Sequence, residues 1–300
     1  MAFLSLIIVL LLVQWWGSGK PLQRDQWFYQ LWLVIERSAD RLPFKRYTPI
    51  VLALGLPVAL LLALQIGLYR ADGWFWLLLL NVLVLLFSLG RGDFSASIGR
   101  YLEAAQADDS VRAAQVLDEN NLDPQLRQER TSSSWMDLHN EALRVFGYRG
   151  FERMFAVIFW FMVCGAAGAL GYRLVVLAWS RWLAVNDARA ACLGRVLLWL
   201  EWPAARLMGV AWALVGNFEV CMQPWRENCF KAVPTQRFLS SIIRGALGDD
   251  QACGSNTLSA TAATRIEPAY SLSLVKNLEG MFSRALLFWV VVVAVISLTL

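Results

Sequence analysis

The sequence is poor in residues that bind metals or titrate near neutral pH. Of its 300 residues one is a histidine, His139, and only 17% are charged. A zinc site needs three or four protein ligands, and no second histidine or C-x-x-C pair supplies them. A single histidine also gives little support for a hydrolytic triad, and we interpret His139 as a surface residue of a helix. The sequence therefore predicts no metal, no cofactor and no catalytic residue.

Nucleic-acid and nucleotide binding are not indicated either. The formal net charge is only +4, and basic residues do not form a stripe interleaved with aromatic residues. The run Gly17–Lys20 resembles the end of a phosphate-binding loop, but Gln14 stands where the first glycine belongs and Pro21 follows the lysine. The cysteines have no redox-like spacing and are expected to be free thiols: Cys164, Cys192, Cys221, Cys229 and Cys253.

Apolar residues, in contrast, make up 58% of the sequence, whereas soluble domains contain about 45–50%. They are concentrated in blocks of about 15–25 residues, the length of a helix that crosses a hydrocarbon core. The sequence predicts an all-α integral membrane protein with five to six transmembrane helices and amphipathic cytoplasmic helices, organised as one polytopic domain over residues 1–300. The predicted spans are residues 2–17, 48–68, 74–90, 154–179, 203–220 and 285–300.

The first apolar block decides between five and six spans. As a helix, residues 2–16 extend only about 22 Å, which leaves open whether they cross the bilayer. No basic segment precedes this block and no small-residue cleavage site follows it. We therefore do not expect a removable signal peptide.

Two long polar regions separate the predicted spans, a helical loop at 91–153 and a second loop at 221–284. In the first, apolar residues at helical spacing predict a helix that begins near Phe94, and Asp109 is a suitable cap for the next helix. In the second, residues 235–247 form an amphipathic helical pattern.

Two shorter segments also have helical patterns. Trp27, Leu31 and Val34 recur at helical spacing, which predicts an amphipathic helix lying on the membrane. Residues 190–202 are amphipathic, and we expect Pro203 to start a new helix there, because proline suits the first helical turn.

Positive charge is distributed unevenly among the loops. Residues 17–47, 90–153 and 221–284 carry 21 of the 27 Lys and Arg residues, whereas the second and fourth loops carry four. Positive residues near spans prefer the cytoplasm. The first, third and fifth loops are therefore predicted to be cytoplasmic, and the second and fourth loops and both termini periplasmic.

Charged residues at or near membrane depth are candidates for a ligand site. A charge at the centre of a membrane helix costs about 2.5–3.5 kcal/mol on insertion scales, so such residues face protein or a cavity. They either snorkel and form interfacial ion pairs or line a pocket for an anionic small molecule at the cytoplasmic face. Arg206 is the strongest candidate, because it lies inside a predicted span. The full set flanks or enters the fourth and fifth spans: Glu141, Arg144, Arg149, Glu152, Arg153, Arg173, Glu201 and Arg206.

Several short motifs occur in the order found in a known family. They are Val13-Gln14-Trp15-Trp16 with Leu22-Gln23-Arg24-Asp25, then Phe159-Trp160, the run Gly165–Tyr172 and the run Trp202–Leu207. In this layout, which covers nearly the whole chain, the sequence resembles the AmpE family of bacterial inner-membrane proteins. It is similar, more distantly, to the CbiB/CobD family of cobalamin-biosynthesis synthases. Those synthases carry Pro-Asn-Ala-Gly in their last cytoplasmic loop, where this sequence has Gly245-Ala246-Leu247-Gly248.

The resemblance to AmpE implies a non-enzymatic regulatory or sensory protein of the bacterial inner membrane, linked to muropeptide recycling and β-lactamase induction. The resemblance to the synthases implies an alternative, an amide-forming enzyme that acts on an anionic small molecule at the cytoplasmic face. A small-molecule transporter is a third hypothesis, favoured by Arg173 and Arg206 but opposed by the lack of internal repeats. The lipid bilayer is the expected partner. A cytoplasmic anionic ligand, a protein partner and a homo-oligomer stay open.

Overall fold

Helices are the regular elements throughout the part of the chain that the structure describes. The structure is a computed structural model that describes residues 2–16, 26–39, 48–89, 94–122, 134–184, 188–231, 233–247 and 268–299. Within these residues no strand occurs, which confirms the predicted all-α class. Gly17–Lys20 and Cys253 lie outside them. The helices are α1 (Ala2–Trp16), α2 (Gln26–Ala39), α3 (Thr48–Arg70), α4 (Trp74–Ser88), α5 (Phe94–Gln106), α6 (Ser110–Asn120), α7 (Trp135–Gly150), a π-helical turn (Phe151–Phe155), α8 (Ala156–Ala184), α9 (Ala188–Val215), α10 (Phe218–Asn228), α11 (Thr235–Ala246) and α12 (Pro268–Thr299).

Three helical segments of the described chain are long and apolar enough to cross a membrane: Thr48–Arg70, Trp135–Leu183 and Leu272–Val295. Two shorter apolar helices, Phe3–Val13 and Trp74–Ser88, accompany them. The observed α1, α3 and α4 agree with the predicted helices to within about two residues, the usual scatter of helix boundaries. The number of five to six spans stays a prediction.

The prediction that Pro203 starts a new helix is wrong. α9 continues through Pro203, and the next helix starts after Asn217, whose side chain accepts a hydrogen bond from the Val220 amide at 3.4 Å. Proline removes one helical hydrogen bond. However, Ala204 and Ala205 beside it are fully buried, so tertiary packing outweighs the local preference. The predicted segment 203–220 is therefore divided between α9 and α10.

The last helix starts earlier than the predicted segment 285–300. α12 begins at Pro268, within the predicted polar loop 221–284. Its early turns bury Leu274, Leu278 and Met281, which share one face at helical spacing. The polar residues between them face outward. Because apolar and polar residues alternate here, hydropathy alone does not predict this part of the helix.

The chain divides into two compact units. The first unit comprises Met1–Gly92 and Ala156–Leu197. In it, α4 packs against both α1 and α8, and α3 packs against α2, α4 and α8. A side-chain hydrogen bond from Gln65 Nε2 to Asn81 Oδ1, 3.0 Å long, joins α3 to α4 inside their apolar surfaces.

Within the first unit, α8 is broken in the middle of its apolar sequence. Gly165 has φ 66° and ψ −159°, a region that only glycine populates readily. The break brings the next turn close to the preceding one, since a Cβ on Gly168 would lie 2.5 Å from the carbonyl oxygen of Trp160. Gly165 and Gly168 of the Gly165–Tyr172 motif therefore have a structural reason.

The same unit brings the first and fourth polar segments into contact. Arg189 Nη1 lies 3.2 Å from Glu36 Oε1, and the rings of Trp32 and Trp182 meet edge-on with centroids 5.4 Å apart. The charge bias assigns these two segments to opposite faces, where a hydrocarbon core of about 30 Å would separate them. The contacts place Trp32 and Glu36 of α2 beside Trp182 and Arg189, and the orientation of the loops stays a prediction.

The second unit comprises Asp93–Phe155 and Leu198–Leu300. α7 is its centre and packs against α5, α6, α11 and α12. Two glycines permit the close approach: a Cβ on Gly147 would collide with the Ile243 side chain of α11, and one on Gly150 would lie 2.6 Å from the Phe282 ring of α12. As predicted, Asp109 caps α6, accepting a hydrogen bond from the Arg112 amide at 2.9 Å.

Candidate functional site

The end of α7 leads into the most deeply buried charged residue among those described in the second unit, Glu152. The helix ends at Gly150 and passes into the π-helical turn Phe151–Phe155, a conformation that is rare and frequent at functional sites. Glu152 in this turn is 1% exposed, and Phe151 beside it is fully buried. The turn therefore holds a carboxylate inside an apolar environment.

A second buried carboxylate faces the same helix end. Glu201 of α9 is 2% exposed, and its Oε1 accepts a hydrogen bond from the Tyr148 hydroxyl at 2.8 Å. Tyr148 is 4% exposed, and its hydroxyl also interacts electrostatically with Glu152. The tyrosine therefore lies within the fields of both acids.

Arg149 provides the positive charge. Its Nη1 lies 3.3 Å from Glu152 Oε2, and its Nε donates a hydrogen bond to the carbonyl oxygen of Asn120, the last residue of α6. A buried carboxylate is tolerated only where ion pairs and hydrogen bonds offset its desolvation. We call Tyr148, Arg149, Glu152 and Glu201 the carboxylate cluster.

The other predicted site residues lie in four places. Glu141 and Arg144 form their own ion pair on α7, with 3.7 Å between Oε1 and Nη2. Arg153 follows Glu152 in the π-helical turn and is half-buried. Arg173 lies in α8, in the first unit, and is 6% exposed. The structure thus brings Arg149, Glu152 and Glu201 together and does not place Arg173 in the same unit.

Arg206 lies elsewhere in the second unit. It belongs to α9, and its side chain contacts the C-terminal end of α10. Its Nε donates to the carbonyl oxygen of Cys229 at 3.1 Å, and its Nη2 donates to those of Asn228 and Lys231 at 3.1 and 2.9 Å. The guanidinium carbon is 4.2 Å from the ring centroid of Phe238. Arg206 therefore satisfies the carbonyl groups that the end of a helix leaves without partners.

The prediction that His139 is a surface residue is wrong, since it is 2% exposed. Its Nδ1 lies 2.8 Å from the Tyr101 hydroxyl, and the ring of Trp135 stacks on it with centroids 5.6 Å apart. The packing of α5 on α7 buries this side of the helix, and the hydrogen bond lowers the cost of burying the imidazole. His139 therefore has a structural role between these helices.

The described residues contain no group of three or more His, Cys, Asp or Glu side chains arranged to hold a metal ion. The described cysteines that are free thiols include Cys164, which is exposed, and Cys221, which is buried. Burial raises the pKa of the Cys221 thiol to about 11, which makes it a poor nucleophile. The carboxylate cluster itself offers groups for proton exchange, charge pairing and hydrogen bonding.

Sequence reasoning missed Tyr148 and Asn120 as members of this site. Tyr148 stands directly before Arg149, and a polar aromatic residue in a run of candidate charges is a usable signal. Asn120 contributes only its backbone carbonyl, for which the sequence gives no signal.

Known proteins give a consistent assignment. The profile of the family described as regulatory signalling modulator protein AmpE matches residues 1–242. Protein AmpE of Shigella flexneri is 28% identical over 183 residues, which cover 58% of this chain and 61% of that relative, less than two thirds of its length. No solved structure matches the chain significantly. Because the family profile matches well over half of the sequence, the chain belongs to the AmpE family of regulatory signalling modulator proteins.

Proposed function

We propose that this protein is a regulatory signalling modulator of the bacterial inner membrane, and that its signal concerns muropeptide recycling and β-lactamase induction. The observation that carries the proposal is the family match over residues 1–242. This match includes α7, the π-helical turn and Glu201, so that the carboxylate cluster belongs to the matched part.

The exposed surfaces of the apolar helices support a place in the bilayer. On α3, Val51 and Leu60 are 66% and 71% exposed. On α12, Leu287 and Val291 are each 61% exposed and lie four residues apart, on one face. Contiguous apolar surface of this kind is unfavourable in water, whereas hydrocarbon chains would cover it. The excess of Lys and Arg in residues 90–153 and 221–284 favours a cytoplasmic position for these two regions.

We propose further that the carboxylate cluster sets the conformational state of the second unit. It joins four elements: α6 through Asn120, α7 through Tyr148 and Arg149, the π-helical turn through Glu152, and α9 through Glu201. Buried ionic groups usually contribute less stability than apolar packing, and specifying one arrangement is their best-attested role. A ligand or partner that displaces one member would therefore release several helices together.

A complementation assay tests this function. A strain that lacks its own copy receives either the wild-type chain, Glu201→Gln or Glu152→Gln, and β-lactamase activity is measured with and without an inducing β-lactam. We expect the wild type to restore the induction ratio and both cluster variants to fail, at equal amounts of membrane-inserted protein.

Glu119→Gln is the matched control, because the Glu119 side chain is 60% exposed and pairs with Arg100 at the surface. It should behave as the wild type. An unchanged induction ratio in the strain without the protein would contradict the regulatory role. Full activity of both cluster variants would contradict the role of the cluster while leaving the regulatory function in place.

The synthase and the transporter stay predictions. A CbiB/CobD-like synthase requires product formation by the purified protein, with loss of turnover in Glu152→Ala or Glu141→Ala. A transporter requires substrate flux into proteoliposomes.

A further inference from the structure

We propose that Arg206 also forms the centre of a binding site for a phosphate group. This site is separate from the carboxylate cluster and does not depend on the proposed regulatory function. The proposed site lies at the end of α10, whereas the sequence predicts a pocket for an anionic small molecule between spans at the cytoplasmic face.

The guanidinium group is held firmly and is only partly used. Arg206 is 5% exposed, and its Nε and Nη2 donate to three carbonyl oxygens at 2.9–3.1 Å. The guanidinium carbon of Arg206 lies 4.2 Å from the centroid of the Phe238 ring and 5.1 Å from that of the Trp202 ring. The indole N–H of Trp225 donates to the Arg206 carbonyl at 3.0 Å, which fixes the backbone as well.

Nη1 is the part of this group that is not used. It is buried, and within the described part of the chain it has no hydrogen-bond partner. Among the described residues, Arg206 also forms no ion pair with a carboxylate. A buried donor of a charged group without an acceptor is unfavourable, so Nη1 is the donor at which an acceptor from outside the protein would be stabilising.

The surrounding charge indicates what this acceptor is. The dipole at the C-terminus of α10 offsets only about half a positive charge. Among the described residues of the segment 226–237, which contains this turn, the exposed charged residues are mostly basic, with Arg226, Lys231 and Arg237 against the acidic Glu227. Several cations favour a group that carries up to two negative charges and several acceptor oxygens, as a phosphate does. They favour a singly charged carboxylate less.

The turn after α10 lies between the guanidinium of Arg206 and the surface. Arg206 Nη2 contacts the carbonyl of Lys231, and Phe230 of the same turn is 90% exposed. The guanidinium is therefore separated from solvent or lipid headgroups by one short turn. Both a free phosphate compound and a phospholipid headgroup are able to approach there.

Calorimetric titration of the detergent-solubilised protein with inorganic phosphate, at constant ionic strength, tests the proposal. We expect one saturable site in the wild type and at least a tenfold loss of affinity in Arg206→Gln. Arg195→Gln, a change at an exposed arginine of the same helix, should bind phosphate as the wild type does. Equal binding by wild type and Arg206→Gln, or no headgroup or phosphate binding at all, would overturn the proposal.

Two further arms keep the test decisive. Because Arg206→Gln also removes three hydrogen bonds, the double variant Lys231→Gln/Arg237→Gln tests the site with the carbonyl contacts intact. The affinity of this double variant for phosphate should fall severalfold. If Arg206→Gln does not fold, an unchanged affinity of the double variant would overturn the charge argument.

Native mass spectrometry with phosphatidylglycerol identifies the source of the phosphate group. Retention of one lipid that inorganic phosphate fails to displace indicates a lipid headgroup. Displacement of the lipid by inorganic phosphate indicates a free phosphate compound.

Discussion

Replacing Tyr148 with phenylalanine removes one oxygen atom from the centre of the carboxylate cluster. The ring would keep its place beside Phe151, where the two centroids lie 6.4 Å apart, so the packing is retained. The change eliminates the 2.8 Å hydrogen bond to Glu201, whose carboxylate stays 2% exposed. Hydrogen bonds to buried charged groups contribute about 1.5–3 kcal/mol. We therefore expect Tyr148→Phe to lower the free energy of unfolding by about 2 kcal/mol.

The assay is reversible unfolding in mixed micelles with increasing dodecyl sulfate, followed by circular dichroism. Tyr69→Phe is the matched control, because Tyr69 is 77% exposed and such surface changes stay within about 0.5 kcal/mol. A double-mutant cycle with Glu201→Gln isolates the pair. Direct neighbours in one network couple by about 0.5–3 kcal/mol, so the loss from Tyr148→Phe should be smaller when Glu201 is already neutral.

Two results would refute this reasoning. If Tyr148→Phe stays within the range of Tyr69→Phe, the hydroxyl makes no net contribution and the cluster is not a stabilising network. If the losses from Tyr148→Phe and Glu201→Gln add without coupling, the two side chains do not interact in the folded protein.

Three further predictions follow from the same structure. Gly165→Ala should lower the free energy of unfolding by about 1–3 kcal/mol, because alanine does not readily adopt the backbone angles of Gly165. Gly55→Ala is the control, since Gly55 lies in α3 with open space where the added methyl group would stand. This control should be neutral or stabilising by up to about 1 kcal/mol. Gln65→Leu should cost about 0.6–1.7 kcal/mol by removing the hydrogen bond to Asn81, and adding Asn81→Leu should cost little more. Because its pKa is about 11, the Cys221 thiol should be about one thousandth ionised at pH 8. It should therefore react slowly with maleimide, and the reaction should become faster as the pH rises. Equal labelling of folded and dodecyl-sulfate-unfolded protein, measured by mass spectrometry, would contradict this prediction.

The sequence predicts the helices whose signals are local. The bounds of α1, α3 and α4 follow from uninterrupted apolar runs, and the start of α6 follows from Asp109, whose side chain reaches a backbone amide only three residues away. These features depend on residues within one or two turns, so periodicity and capping rules are sufficient for them.

The site is a different case, because its members are distant in sequence. Tyr148 and Glu201 are 53 residues apart, and the carbonyl partners of Arg206 lie 22–25 residues after it. The burial of His139 depends on a third element, α5. Hydropathy identifies these residues as unusual at their positions but does not pair them, since pairing is decided by which helices pack together.

The break in α8 affects how motion passes along that helix. A continuous helix behaves as a stiff rod, whereas a chain that visits the glycine-only region at Gly165 has a pivot between its two halves. Apart from its chain neighbours and the backbone of its own helix, no atom lies within 4 Å of the place where a Cβ would stand on Gly165, so this residue is not packed against another helix. The half of α8 before Gly165 is therefore able to tilt without moving the half that carries Arg173.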